Sequence, residues 1–473
     1  MSSSAAWNIA FGIIALLLIL VLATSTKRTT AIGVLLVMIP FQIVDTQYGS
    51  SSILIAYGLI AVLLLTGELR LRMLPALGLI VLGYLASFVV AGQENLVLQV
   101  ITMIQFFSAL MVFILAYNFA RAVASGKSVL DILLVIDALV IAYCILQLTV
   151  GPGERFTPLG IQALAFNVNR TPDDPRLVGA FGNPGSTAGY FTLMVLVCAV
   201  AYMLAEGRRK FLIQCLIGLN LLGLVVTGNR AGFLVLLAMF PFFLYVFRSE
   251  LGPKRITTYM LGGIVALTLA SATAIYFTDF DTMFTRLERV TETTNGVPST
   301  RSVTWPAAIA KIRLHPWFGY GPYYPKVQEL EKSGLPRVEF EDLNTLVTAY
   351  DPYPHSLYLY LLRTVGIVGA LPVVAFFILT WKLIWSATRR EIPDRYRSNV
   401  VRMGLLLIPA FLIAQITLEF NREETMDYTQ FIFALMGLLV GTADRGRQET
   451  ARHSALVGAA PGGEAISHQP AVR

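Results

Sequence analysis

Only a few side chains in this sequence could do chemistry, and most of them are arginines. Arg230 sits in Gly228-Asn229-Arg230-Ala231-Gly232, a turn between two apolar runs with no acidic neighbour in sequence. An arginine near the middle of a membrane helix costs ~2.5–3.5 kcal/mol, and less near the interface. Its partner there is either a lipid headgroup reached by snorkelling or a bound anion. Arg176 opens the segment Arg176-Leu-Val-Gly-Ala-Phe-Gly-Asn183-Pro184. Arg301 lies in Ser299-Thr300-Arg301-Ser302, ahead of Trp305 and of His315-Pro-Trp-Phe-Gly319-Tyr-Gly321. Taken singly, Arg176 and Arg301 read as solvated loop residues. Taken together, the three could hold a diphosphate, because a guanidinium binds phosphate bidentately and keeps its charge.

His355 is the candidate for proton transfer, the work histidine is best poised for near neutral pH. It follows Asp351 by four residues, a spacing that could let the carboxylate orient the ring. The alternative is a membrane-interface histidine without a chemical role. His315, just before Pro316, reads as structural, and His453 and His468 fall in the tail. His315 and His355, without clustered carboxylates, do not make a zinc site, so neither a metal nor any other cofactor is expected. Cys144, Cys198 and Cys215 all lie in apolar runs and read as small core residues.

The elements that would position these groups follow from composition. Of the 473 residues, 56% are hydrophobic and 14% charged, against roughly 25% charged in soluble proteins. Mean hydropathy is +0.67. That excludes a soluble globular enzyme and fits an all-α polytopic membrane protein. Candidate spans run at 8–24, 31–46, 52–67, 73–91, 97–118, 130–150, 186–205, 211–227, 231–247, 256–277, 356–385, 402–418 and 429–442. The second and last are short, so twelve competes with thirteen. No basic region precedes the first run and no cleavage motif follows it, so it reads as a retained span.

Lys and Arg alternate between loops from end to end. Lys27 and Arg28, Arg70 and Arg72, Arg121 and Lys127, Arg208 to Lys210, Arg248 to Arg255, and Arg389 to Arg397 fall in odd-numbered loops. The positive-inside rule puts those loops, and the C-terminus, in the cytoplasm. The net charge of +7 therefore needs no nucleic acid. The long loops 151–185 and 278–355 fall outside. The second holds Trp305, Ile309 and Ile312 at helical spacing, so it should carry helix of its own. Residues 1–441 form the transmembrane domain, with loop 278–355 over the site. Residues 442–473, rich in Ala, Gly and Pro, read as a disordered cytoplasmic tail. Asp137 and Arg363 lie inside spans and are expected to pair with each other.

The segments around Arg176, Arg230, Arg301 and His355, in this order and on one side of the membrane, resemble the O-antigen ligase and polymerase superfamily. The family pattern Arg-x-x-Gly-x-Phe-x-Asn-Pro matches Arg176 to Pro184. Its Ser-Arg turn matches Asn229-Arg230, with Asn for Ser. Its Ser-x-Arg…Trp…His-Pro…Gly-x-Gly segment matches Ser299 to Gly321. Its His-Asn-x-x-Leu matches His355 to Leu359, with Ser356 for Asn. The resemblance covers roughly Arg176 to Gly369. It implies a metal-independent inverting glycosyltransferase of the bacterial inner membrane, working on the periplasmic side. The implied donor is a glycan on undecaprenyl diphosphate. The implied acceptor is lipid A-core for a ligase or growing polysaccharide for an exopolysaccharide or O-antigen polymerase. Arg230 and Arg301 would neutralise the diphosphate and His355 would position or deprotonate the acceptor hydroxyl. Arg176, Asn183, Trp305 and Asp351 would contact substrate. The competing class is a transporter of lipid-linked glycan.

Overall fold

The structure is a computed structural model. It describes residues 28–41, 45–46, 49–91, 96–150, 155–156, 166–167, 177–254, 293–294, 297–298, 301–322, 354–416 and 426–458. The regular structure of the described residues is helical apart from three two-residue antiparallel pairs, 45–46 with 49–50, 155–156 with 166–167 and 293–294 with 297–298. In chain order the helices are α1 (Arg28–Met38), α2 (Ser51–Leu65), α3 (Leu74–Ala91), α4 (Leu96–Ala122), α5 (Gly126–Val150), α6 (Pro184–Leu204), α7 (Gly207–Val226), α8 (Arg230–Val246), α9 (Arg301–Leu314), α10 (Leu357–Thr388), α11 (Arg395–Ala414) and α12 (Met426–Gly458).

Seven of these are long and apolar enough to cross a membrane, among the described residues. The count is eight if Ala231–Val246 and Arg248–Lys254, which meet at 93°, form one broken span. With the shorter apolar helices α1, α2 and α3, every candidate span inside the described residues is a helix. The candidates at 8–24 and 256–277 lie outside them. The protein is a polytopic all-α membrane protein.

Two expectations change. The span expected at 31–46 stops at Met38, and 45–46 belongs to a short pair. The disorder expected from 442 is corrected for 442–458, because α12 runs unbroken to Gly458. Composition suggested a tail, but Thr442, Ala443 and Asp444 are buried. The charges beyond them are also paired, with Arg445 on Glu449 at 3.0 Å and Glu449 on Arg397 at 3.4 Å. Residues 459–473 lie outside the described residues.

α12 is the spine of the bundle and packs most extensively on α4. Gly437 and Gly441, four apart, lie on the backbone of Phe113 and Tyr117, opposite Ala116 and Ala120. Any Cβ there would strike a main-chain carbonyl. Small residues at this spacing let membrane helices approach closely where lipid offers no hydrophobic drive. A polar seam crosses the same contact: Ser52 Oγ donates to Gln430 Oε1 (2.7 Å), and Gln430 Nε2 donates to Ser108 Oγ (2.7 Å).

The buried charges pair differently from the expectation. Asp137 accepts from Asn220 Nδ2 at 2.7 Å and from Tyr190 Oη at 3.3 Å, with Cys198 Sγ at 3.5 Å. It thus joins α5, α6 and α7. Arg363 instead lies over the Tyr320 ring, its guanidinium carbon 5.0 Å from the centroid. The expected Asp137–Arg363 pair is therefore corrected. Hydropathy marks both residues as intramembrane charges but carries no information about which helices meet.

The helix ends sort into two sets. At one end the turns carrying Glu68, Ser125, Leu204, Glu250 and Asp394 are cross-linked: Arg28 meets Glu68, Arg402 meets Glu250 at 3.2 Å, and Tyr396 Oη donates to Leu204 O at 3.2 Å. This is the basic end. The starts of α6, α8, α10 and α12 lie at the opposite end.

Candidate functional site

At that opposite end the segments singled out in the sequence are held in two pairs. The first joins the start of α6 to the turn between α7 and α8. Arg176 itself lies outside the described residues. Its neighbour Leu177 is buried, and its N–H donates to Val226 O at 3.2 Å, on the last turn of α7. Gly228, at φ 64°, turns the chain. Asn229 then caps α8, its Oδ1 accepting from Ala231 N at 2.9 Å. Arg230 is the first residue of that helix. Asn and Ser cap helix starts about equally well, so the replacement at Asn229 keeps the turn's architecture.

Asn183 has a structural task. It caps α6, with Oδ1 accepting from Gly185 N at 2.7 Å and Ser186 N at 3.3 Å, and Pro184 occupies the first turn. Proline there gives up only an N–H that the helix would leave free. The Asn-Pro-Gly-Ser run is thus a helix start, and Thr187 Oγ1 folds the preceding turn onto it through Val178 O.

The second pair joins α9 to the start of α10. Arg301 is the first residue of α9. One turn on, Trp305 Nε1 donates to Pro354 O at 2.8 Å, the residue before His355. Asp351 lies outside the described residues. His355 is half-buried and has φ 46°, a left-handed backbone that only one other non-glycine residue, Met73, shares among the described residues. Such a conformation persists only where the surroundings over-determine it. Here they do: Trp305 holds the carbonyl on one side, and on the other Leu357 N donates to Gln415 O at 3.1 Å, at the end of α11. The expected helix in loop 278–355 is present, but its buried face is Thr304, Ala307 and Ala308, while Ile309 is exposed.

Below this junction α10 breaks at Gly366, φ 62° and ψ −170°. The His315–Gly321 turn takes up the freed backbone groups. Ile367 N donates to Pro316 O (2.9 Å) and Val368 N to Trp317 O (3.0 Å). In return Tyr320 N donates to Arg363 O (3.0 Å) and Gly321 N to Thr364 O (2.9 Å). Ser87 Oγ of α3 adds a bond to Phe318 O at 2.6 Å. Irregular backbone in a membrane protein survives only when protein satisfies it in this way. Gly319, at φ 66°, and Gly366 are required, since a Cβ on either would run into the carbonyl of the other strand of this contact.

α11 touches α6, α8 and α10 and so stands between the two pairs. Phe181, inside the first segment, meets Tyr428 of α12 at 5.6 Å. The arrangement places two arginine-bearing helix starts and one strained histidine around a single bundle end. Sequence reasoning missed Gln415 and Tyr320. Gln415, a polar residue closing an apolar run, could have been flagged on those grounds. Tyr320 between Gly319 and Gly321 carried a turn signal only. Among the described residues no cluster of three potential metal ligands occurs.

Residues 215–374 match the family model described as O-Antigen ligase. The matched stretch contains Arg230, Arg301, Trp305 and His355. It also takes in the Gly366 break, but not Arg176 or Asn183. No curated protein matches the chain. Over residues 215–374 the chain is thus similar to the O-antigen ligase family, which supports the resemblance to the O-antigen ligase and polymerase superfamily.

Proposed function

We propose that this protein is a glycosyltransferase that moves a glycan from a polyprenyl-diphosphate donor, typically undecaprenyl diphosphate, to an acceptor hydroxyl. It works from the bacterial inner membrane, with the site facing the periplasm and the C-terminus in the cytoplasm. The acceptor hydroxyl oxygen attacks the anomeric carbon. The bond from that carbon to the phosphate oxygen breaks, and the electron pair leaves with the lipid diphosphate. The configuration inverts in this single displacement, without a metal. Arg230 and Arg301 stabilise the charge that develops on the diphosphate, an effect strongest where water is excluded. His355 orients the hydroxyl and takes its proton. Arg176 and Asp351 are secondary contacts. Trp305 acts through its hold on the His355 segment, and Asn183 through the helix start it caps.

The observation that carries this reading is the O-Antigen ligase match, which encloses Arg230, Arg301 and His355. A ligase acting on lipid A-core is favoured. A polymerase extending a lipid-linked polysaccharide uses the same chemistry. The test is transfer by purified protein in nanodiscs, with a lipid-diphosphate-linked oligosaccharide, candidate acceptors and EDTA. A single shift of lipid A-core marks a ligase, and a ladder of longer lipid-linked chains marks a polymerase. His355→Ala should lose ~10²–10⁴-fold in turnover, the usual worth of a general base, while donor binding persists. Transfer to no acceptor, with donor movement between leaflets in proteoliposomes, would sink the proposal in favour of a transporter.

A further inference from the structure

We infer that Arg363 is a positioning residue: acting through Tyr320, it fixes α9, and with it Arg301, relative to His355. This rests on the glycosyltransferase reading for its kinetic consequence but not for its geometry. Arg363 is 5% exposed and does not pair with Asp137. Its guanidinium carbon is 5.0 Å from the Tyr320 centroid, and Lys311 Nζ of α9 is 5.2 Å from the same ring. The His315 ring stands edge-on to Tyr320 at 4.6 Å. One aromatic ring therefore links a buried cation of α10 to the last turn of α9 and to the residue that follows it. Cations over tyrosine faces gain most where they are desolvated.

Besides the packing of its buried face at Thr304, Ala307 and Ala308, α9 has two side-chain ties, Trp305 on Pro354 near its start and Lys311 on Tyr320 near its end. Helical rise puts Arg301 about 6 Å before the Trp305 pivot and Lys311 about 9 Å beyond it. If the Tyr320 clamp loosens, the far end can swing. On that lever a displacement of ~1.5 Å at Lys311 becomes ~1 Å at Arg301. An error of ~1 Å in a reacting constellation can cost ~10²-fold. The backbone bonds around Gly366 hold the turn, and His315 N donating to Lys311 O at 3.3 Å ties the turn to the end of α9; the ring adds the side-chain link from Arg363 to Lys311.

The experiment has two readouts. The first is transfer kinetics for Arg363→Gln, Arg363→Lys, Tyr320→Leu, Tyr320→Phe and the double variant Arg363→Gln/Tyr320→Leu. The expected result is a ~10–100-fold fall in kcat for Arg363→Gln with donor KM within about threefold. Lysine and phenylalanine should restore most of it, and the double variant should be no worse than Tyr320→Leu. A loss in Arg363→Gln that multiplies with Tyr320→Leu, or falls on KM, would mean direct contact with substrate and overturn the positioning role. The second readout needs no activity. In a Cys215→Ala background, spin labels at Leu314 and Leu371, both exposed, report the α9–α10 distance. Arg363→Gln should broaden it and Arg363→Lys should not. An unchanged distribution overturns the inference even if transfer is lost. A broadened one with an inactive parent protein upholds it while the glycosyltransferase reading fails.

Discussion

Asp394 is one carboxylate serving two helix starts. Oδ2 accepts from Gly126 N (2.8 Å) and Ser125 Oγ (2.9 Å) at the head of α5, and Oδ1 accepts from Tyr396 N (2.9 Å) and Arg397 N (3.3 Å) at the head of α11. Burial alone would raise its pKa, but these four hydrogen bonds to the charged form outweigh it and hold the carboxyl below the usual range. A carboxylate whose folded pKa lies below its unfolded value of about 3.9 contributes stability that is complete above roughly pH 4 to 5. The contribution fades as pH falls through the folded pKa. Asp394→Asn keeps a capping side chain and removes the titration. Thermal unfolding of detergent-solubilised protein from pH 7 to pH 3 should show a shallower acid loss in that variant than in the parent. Equal slopes would remove Asp394 from the acid response. Asp394→Ala should cost about 0.5–2 kcal/mol for each lost cap at neutral pH. Asp137 shows the opposite economy: it is fully buried and satisfied by neutral donors from two neighbouring helices, so it reads as a structural node.

At the scale of the element, the join between the His315–Gly321 turn and the broken α10 is where the fold is least forgiving. Gly366→Ala would force an L-residue into φ 62° and push a Cβ into the Trp317 carbonyl. Backbone strain of that kind costs ~1–3 kcal/mol, and separating the strands would also free up to four backbone bonds. The expected outcome is a properly inserted protein with transfer reduced at least tenfold and the 314–371 distance altered. Gly218→Ala, where a Cβ meets nothing, should be silent in both assays. This element also shows what a sequence can carry. The positions of α2 to α8 and α10 to α12 were legible because hydropathy and length are local properties. So was the presence of a helix in loop 278–355, which carries Arg301 and Trp305. The break at Gly366 was not, because nothing local distinguishes a glycine that bends a helix from one that merely packs. Nor was the buried face of α9. Its apolar stripe, Trp305, Ile309 and Ile312, is the stronger sequence pattern. Yet Thr304, Ala307 and Ala308 are the residues covered, because small side chains permit close approach. The helical stretch 442–458 escaped for a related reason, since tertiary ion pairs overrode a composition that reads as a tail.

For the whole molecule, the two ends of the bundle divide the electrostatic work. Ion pairs among the described residues gather at the basic end, where Arg28–Glu68, Arg209–Asp131, Arg397–Glu449 and Arg72–Asp444 tie neighbouring turns together. At the other end the cations visible in contact, Lys311 and Arg363, rest on an aromatic ring. If the Lys and Arg bias fixes orientation as usual, the basic end is cytoplasmic and the His355 end is outside. α5 offers both ends on one helix, with Lys127 and Thr149 each exposed, and Arg390 and Leu96 give a second comparison. Single cysteines at these positions, in a Cys215→Ala background with Cys144 and Cys198 buried, can be probed with a membrane-impermeant maleimide in spheroplasts. Thr149→Cys and Leu96→Cys should label before lysis, and Lys127→Cys and Arg390→Cys only after it. The reverse pattern would put His355 and the Arg301 helix on the cytoplasmic face, where a periplasmic transferase could not use them.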